Sequence, residues 1–215
     1  MSGHTHSREL GDEVRCVQLL DAAHRAGLEP IKFAYLHAFA YLTEALSPVW
    51  GVQASTGEVL KREGLPFFPR LQGALDRLVW RGVVEIDDFS YIQDDRQKWS
   101  LEATCHLSKE RSTVVLERQR LFADERERSD LYLQIALGLA QSENITDLFL
   151  NDASYSDPSV SVDRLIEFSP GASANLSARV ADQFSKLVSP GRGLASGERV
   201  GLYMAHLQRT AVHRA

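Results

Sequence analysis

The sequence predicts a mainly α-helical protein in which one stretch near the N-terminal third turns extended. Three observations carry that expectation. Apolar residues recur at three- and four-residue spacing through most of the chain, the period of a helix with one buried face. Between Gly82 and Thr104 the pattern changes to that of strands. Gly27, Ser47-Pro48, Gly64 and Gly82 punctuate the helical stretches as stop signals.

In order, the polar first residues are expected to fray, and Arg8 to Ala26 forms a helix on the stripe Leu10, Val14, Val17, Leu20 and Ala23, stopped by Gly27. Pro30 opens the next helix. Ile31 to Leu46 is apolar on most sides, which places it at the centre of a core until Ser47-Pro48 ends it. After a loop from Trp50 to Ser55, a short helix is expected over Thr56 to Arg62, capped by Thr56 or Ser55 and broken by Gly64. Pro66 to Arg81 makes a third helix on Phe67, Phe68, Leu71, Leu75, Leu78 and Val79. Two strands follow, one through Val83 to Ile92 and one through Trp99 to Thr104, joined by a polar tip at Gln93 to Lys98.

Helix, short helix, helix, strand, turn, strand is the order of a winged helix: three helices plus a two-stranded wing. Residues 1–107 are therefore read as an N-terminal helix and a winged-helix-like module, and 108–215 as a C-terminal helical region. In that region Ser108 starts a charged helix to about Arg128, with Lys109, Arg111, Arg118, Arg120, Arg126 and Arg128 against a matching set of carboxylates. Ser129 or Asp130 caps a helix over Leu131 to Ala140. A polar loop spans Asn151 to Ser161, and Leu165, Ile166 and Phe168 form a short segment. Helices follow from Asn175 (or Ser173) to Val188 and from Ser196 to about Ala211, separated by Pro190-Gly191-Arg192-Gly193.

The chain has 215 residues, enough for a sizeable core, and no stretch approaches the roughly 18 consecutive apolar residues of a membrane span. The N-terminus lacks a basic-then-apolar leader, so a cytoplasmic location is expected. Cys16 and Cys105 lie in apolar-periodic stretches without a metal-ligand neighbour, and are read as buried, reduced thiols.

No catalytic, cofactor-binding or metal site is predicted. Asp152 and Asp157 flank Tyr155 in the polar loop, but their spacing matches no calcium loop, and the reading is a turn whose carboxylates bond local amides. His37 lies in the apolar helix and is read as a satisfied core histidine. Gly191-Arg192-Gly193 lacks the lysine and hydroxyl of a phosphate loop and is read as a turn.

The module's relation to DNA is the sharper question. Lys61, Arg62, Arg70, Arg77 and Arg81 lie on and before the presumed recognition helix, at positions where phosphate contacts are made. Against this, Phe67 and Phe68 occupy the helix start, where base-reading polar groups belong. The wing carries Asp87, Asp88, Asp94 and Asp95, and the chain's formal net charge is −5. These features favour a surface that holds another protein. Trp50, Phe67, Phe68 and Trp80, with Arg118 and Arg120 of the charged helix, are the expected partner contacts.

The stretches Leu36 to Leu42, Leu60 to Pro69, Leu71 to Val84 and Leu202 to Leu207 resemble the middle component of bacterial three-component ABC/SMC (Lamassu-type) defence systems, with the winged-helix character of kleisin-interacting (KITE) proteins. The resemblance implies a non-catalytic subunit in a hetero-oligomer, bridging an SMC-like coiled-coil ATPase and a nuclease effector, with DNA contact indirect or weak and no membrane. The alternative is a winged-helix transcription regulator.

Overall fold

The computed structural model describes residues 2–55, 58–93, 99–119, 121–142, 144–168, 175–188 and 193–212, and for residues 2–6, 99–101 and 185 the backbone only. Among the described residues the architecture is mainly helical with two small sheets. Helix α1 spans Ser2–Ala26, beginning before the expected Arg8. Its stripe is shifted as well: Leu10 is exposed, whereas Cys16, Val17, Leu19, Leu20, Ala22 and Ala23 are buried. Gly27 ends it as expected, with the Gly27 and Leu28 amides donating back to the His24 and Ala23 carbonyls.

Strand β1 is only Ile31–Lys32, so the second helix, α2, begins at Phe33 and runs to Trp50. Ile31 pairs with Cys105 instead of starting the helix. Pro48 does not stop α2. It sits in the last turn, and the Ser47 hydroxyl donates to the Glu44 carbonyl that a Pro48 N–H would have served. Termination falls to Gly51, whose left-handed φ of 87° lets its amide and that of Val52 close the helix end. Every residue from Leu36 to Ser47 is buried, as expected of a central helix.

The expected short helix at Thr56–Arg62 is absent from the described residues there (56 and 57 lie outside them). The segment is strand β2, Glu58–Leu60, paired antiparallel with β5, Leu165–Glu167. The reason is tertiary: Val59 is buried opposite Ile166, and Leu60 also exchanges both backbone bonds with Phe67. That exchange shortens the next helix. Helix α3 is Pro69–Trp80, with Pro69 in its first turn, while the amides of Phe67 and Phe68 are used outside the helix. Gly82 ends it, as the sequence indicates.

Strands β3 (Val84–Gln93) and β4 (Trp99–Leu107) form the expected hairpin, and with β1 they make a sheet in the order β1-β4-β3. The tip residues 94–98, including Asp94 and Asp95, lie outside the described residues. The single charged helix expected to Arg128 is two helices, α4 (Lys109–Gln119) and α5 (Ala123–Ala140), parted at Leu121-Phe122. Asp124 and Glu125 open α5, where carboxylates suit the helix dipole, and Ser129 and Asp130 fall inside it rather than capping a later helix. Helix α6 (Ile145–Asn151), capped by the Asn144 side chain, has no counterpart in the expected elements. Helix α7 is Leu176–Val188, its Asn175 cap accepting the Ala178 amide, and α8 is Ser196–Val212. Of the turn between them, 190–192 lie outside the described residues.

The segments 1–107 and 108–215 share one core. Helix α5 packs on α1 and α2, α7 and α8 pack on α2, and one cluster of buried apolar residues runs through both segments. Cys16 and Cys105 are free and buried, and burial raises the pKa of both, that of Cys105 to about 12. No described helix is long and apolar enough to cross a membrane.

Candidate functional site

Helix α3 is the element on which the DNA question turns. Its arginines at positions 70 and 77, and Arg81 just beyond, lie along the edge that faces α1. Arg70 grips Asp12 with two bonds, Nε to Oδ2 at 3.0 Å and Nη2 to Oδ1 at 3.1 Å. Arg77 Nε donates to Glu13 Oε1 at 2.7 Å, and Arg81 Nη1 to Glu13 Oε2 at 2.5 Å. Asp12 and Glu13 are themselves buried in the seam. All three expected phosphate-contacting arginines are therefore bound to carboxylates of the same chain. The outward side of α3 carries Asp76, bonded to Gln72, and Trp80, whose indole is 87% exposed.

The remaining two basic residues are occupied locally. Lys61 Nζ donates to the carbonyls of Asp157 (2.9 Å) and Val160 (2.7 Å), pinning the 151–164 loop. The Arg62 guanidinium lies 4.1 Å from the Phe67 ring centroid, over its face. Phe67 is half-buried beside the His37 ring, 4.8 Å away.

Of the expected partner-binding aromatics, Phe68 is corrected outright. It is 1% exposed and part of the core, with the Arg15 guanidinium 5.2 Å from its centroid. Its burial follows from its place before Pro69, where its amide donates to His37 Nδ1 at 3.2 Å. His37 Nε2 in turn bonds Gln72 Oε1 at 3.1 Å, so the ring is neutral with its proton on Nε2. Burial pushes the His37 pKa down to about 4. Trp50 is half-buried against Gly197 at the start of α8. Trp80 and, on α4, Arg118 are exposed, and Arg120 lies outside the described residues.

The loop carboxylates divide. Asp157 is half-buried and accepts the Ser159 amide, which holds its pKa below the usual range. Asp152 accepts the local Ser154 and Tyr155 amides as expected, but it is completely buried and also accepts the hydroxyls of Tyr41 (2.5 Å), Tyr203 (2.8 Å) and Ser177 (2.9 Å). Burial, then the charge of Asp152, raises the pKa of both tyrosines. Five donors fill a carboxylate's lone pairs, and no face is left for a substrate. This centre ties α2, α7 and α8 to the loop, and it is a joint rather than a reaction site. Among the described residues no group of three or more His, Cys, Asp or Glu side chains could hold a metal ion.

No protein-family model matches the chain, and no curated protein or solved structure matches it.

Two features escaped the sequence reading. The acidic partners Asp12 and Glu13 stand on a helix whose neighbours are buried, and a polar pair there was the available signal. From sequence the hairpin is read for its strand pattern and its acidic residues, whereas its apolar residues Ile86, Phe89, Tyr91 and Ile92 are all exposed. The available signal is the close grouping of Phe89, Tyr91 and Ile92 beyond the alternating Val84 to Asp87.

Proposed function

We propose that the chain is a non-catalytic adaptor, the accessory subunit that bridges an SMC-like coiled-coil ATPase and a nuclease effector in an anti-phage or anti-plasmid complex of the cytoplasm. One observation carries the adaptor reading. The helix that would read DNA has Arg70, Arg77 and Arg81 bound to Asp12 and Glu13, and it presents an exposed indole, Trp80, instead. Cations already paired release little on meeting phosphate, whereas an exposed tryptophan is a common protein-interface anchor. The sequence resemblance supplies the identity of the partners.

Within residues 1–107, where the sequence suggests an N-terminal helix followed by a winged-helix-like module, we assign the N-terminal helix to the module itself. In support, α1, β1, α2, α3, β3 and β4 follow one another with β2 inserted before α3, and the sheet order is β1-β4-β3. In this reading α1 is the module's first helix, and β2 stands outside it.

The test is co-expression with the products of the neighbouring genes. Co-purification with a large ATPase is the expected result, and Trp80→Ser should weaken it while leaving the melting temperature unchanged. A chain that elutes alone sinks the adaptor. A salt-sensitive complex with its own promoter, abolished by Arg70→Ala and Arg77→Ala, would return the regulator reading.

A further inference from the structure

The β3–β4 hairpin outgrows the body of the molecule. At its base, Val84, Ala103 and Cys105 are buried. The register places Val84 and Ile86 on the face of Leu107 and Cys105, and after the bulge at Asp87/Ser90 it places Tyr91 opposite Leu101 on that same face. Phe89 joins it, its ring edge-on to Tyr91 at 5.7 Å. Exposure climbs along this face, from 1% at Val84 through 38% at Ile86 to 58% at Phe89 and 66% at Tyr91. The face that packs on the helices at its base continues outward as uncovered aromatic surface.

The opposite face is acidic. Glu85 and Asp87 share His106, at 3.3 and 2.8 Å, and Glu102 is bonded to Lys32. From Val84 to Leu107 the sequence holds six carboxylates (Glu85, Asp87, Asp88, Asp94, Asp95, Glu102) against Arg96 and Lys98. Strand β3 is also the edge of its sheet, and among the described residues no strand pairs with its outer side.

We propose that the outer edge of β3, over Glu85 to Ile92, takes an extended segment of another protein as an added strand, one that alternates apolar residues with lysine or arginine. The edge offers backbone hydrogen bonds. Alternation would lay the apolar side chains over Phe89 and Tyr91 and the basic ones beside Glu85 and Asp87. A second copy of this chain is the poorer occupant. Two hairpins of the same negative charge repel. The inference goes beyond the adaptor reading, because it names a surface and a partner chemistry outside the residues assigned there.

The test uses the full chain and two ten-residue peptides, one alternating lysine with valine and one alternating glutamate with valine. The expected result is saturable binding of the lysine peptide alone, weakened by salt, with amide shifts centred on residues 85–92. Phe89→Ser with Tyr91→Ser should reduce the affinity by roughly tenfold or more, and an unchanged melting curve of that variant shows that the fold is intact. Absence of saturable binding, equal binding of the glutamate peptide, or binding that the double variant leaves unchanged would overturn the proposal. The adaptor reading is scored separately. A complex with a neighbouring gene product that survives the double variant removes the hairpin from that interface and leaves the adaptor standing.

Discussion

Asp152 and His37 show how single buried polar groups set the stability of this fold. Removing the Asp152 carboxylate strands the hydroxyls of Tyr41, Tyr203 and Ser177 and two loop amides in a site closed to water. Asp152→Ala is therefore expected to cost on the order of 3 kcal/mol, read as a lower denaturant midpoint at unchanged m-value. Asp152→Asn, which keeps an acceptor, should cost less. His37 makes a pH prediction. Its pKa is about 4 in the folded chain against an ordinary 6.5. Between those values the unfolded chain binds the proton that the folded chain refuses, so stability rises with pH. The contribution is complete above about pH 6.5, is lost as pH falls toward 4, and amounts to about 3 kcal/mol at most. Urea melts across that window should show a steeper loss for the wild type than for His37→Asn. Equal slopes would mean that His37 is not held neutral.

At the scale of elements, the seam between α1 and α3 decides what α3 can do. Each pair there is partly solvent-exposed on the arginine side, and each such pair contributes below about 1 kcal/mol. Its effect is on charge rather than stability. Replacing Asp12 by Asn and Glu13 by Gln should release three guanidinium groups and raise non-specific affinity for duplex DNA at low salt, with a steeper salt dependence than the wild type. Gel shifts or anisotropy at several salt concentrations measure this. If the wild type already binds as tightly as the double variant, the pairing is not what withholds these arginines from phosphate.

The whole molecule behaves as one packing unit. Helices α1 and α2 bury their faces against α5, α7 and α8, and β2 finds its strand partner in β5, across the boundary at residue 107. Residues 1–107 and 108–215 expressed separately should each lack a cooperative transition. The full chain should unfold in one step, with tryptophan fluorescence and far-ultraviolet circular dichroism coincident. A fragment of residues 1–107 that melts cooperatively would show that this segment is self-sufficient.

The sequence by itself determined the mainly helical class, the central apolar helix, the hairpin and the glycine ends of α1 and α3, and it offered Asn175 beside Ser173 as the cap of α7. These are written in neighbours, because a helix turn, a cap or a hairpin joins residues a few positions apart. Only the tertiary structure decided that Glu58–Leu60 is a strand, that Phe68 is core, that Asp152 is a buried joint and that the arginines of α3 are spent on α1. The Tyr41 bond to Asp152 spans 111 residues and the Arg70 bond to Asp12 spans 58. A strand ladder or a buried ion pair accepts a partner from any distance along the chain, so periodicity shows that such a residue needs a partner, and packing alone chooses which.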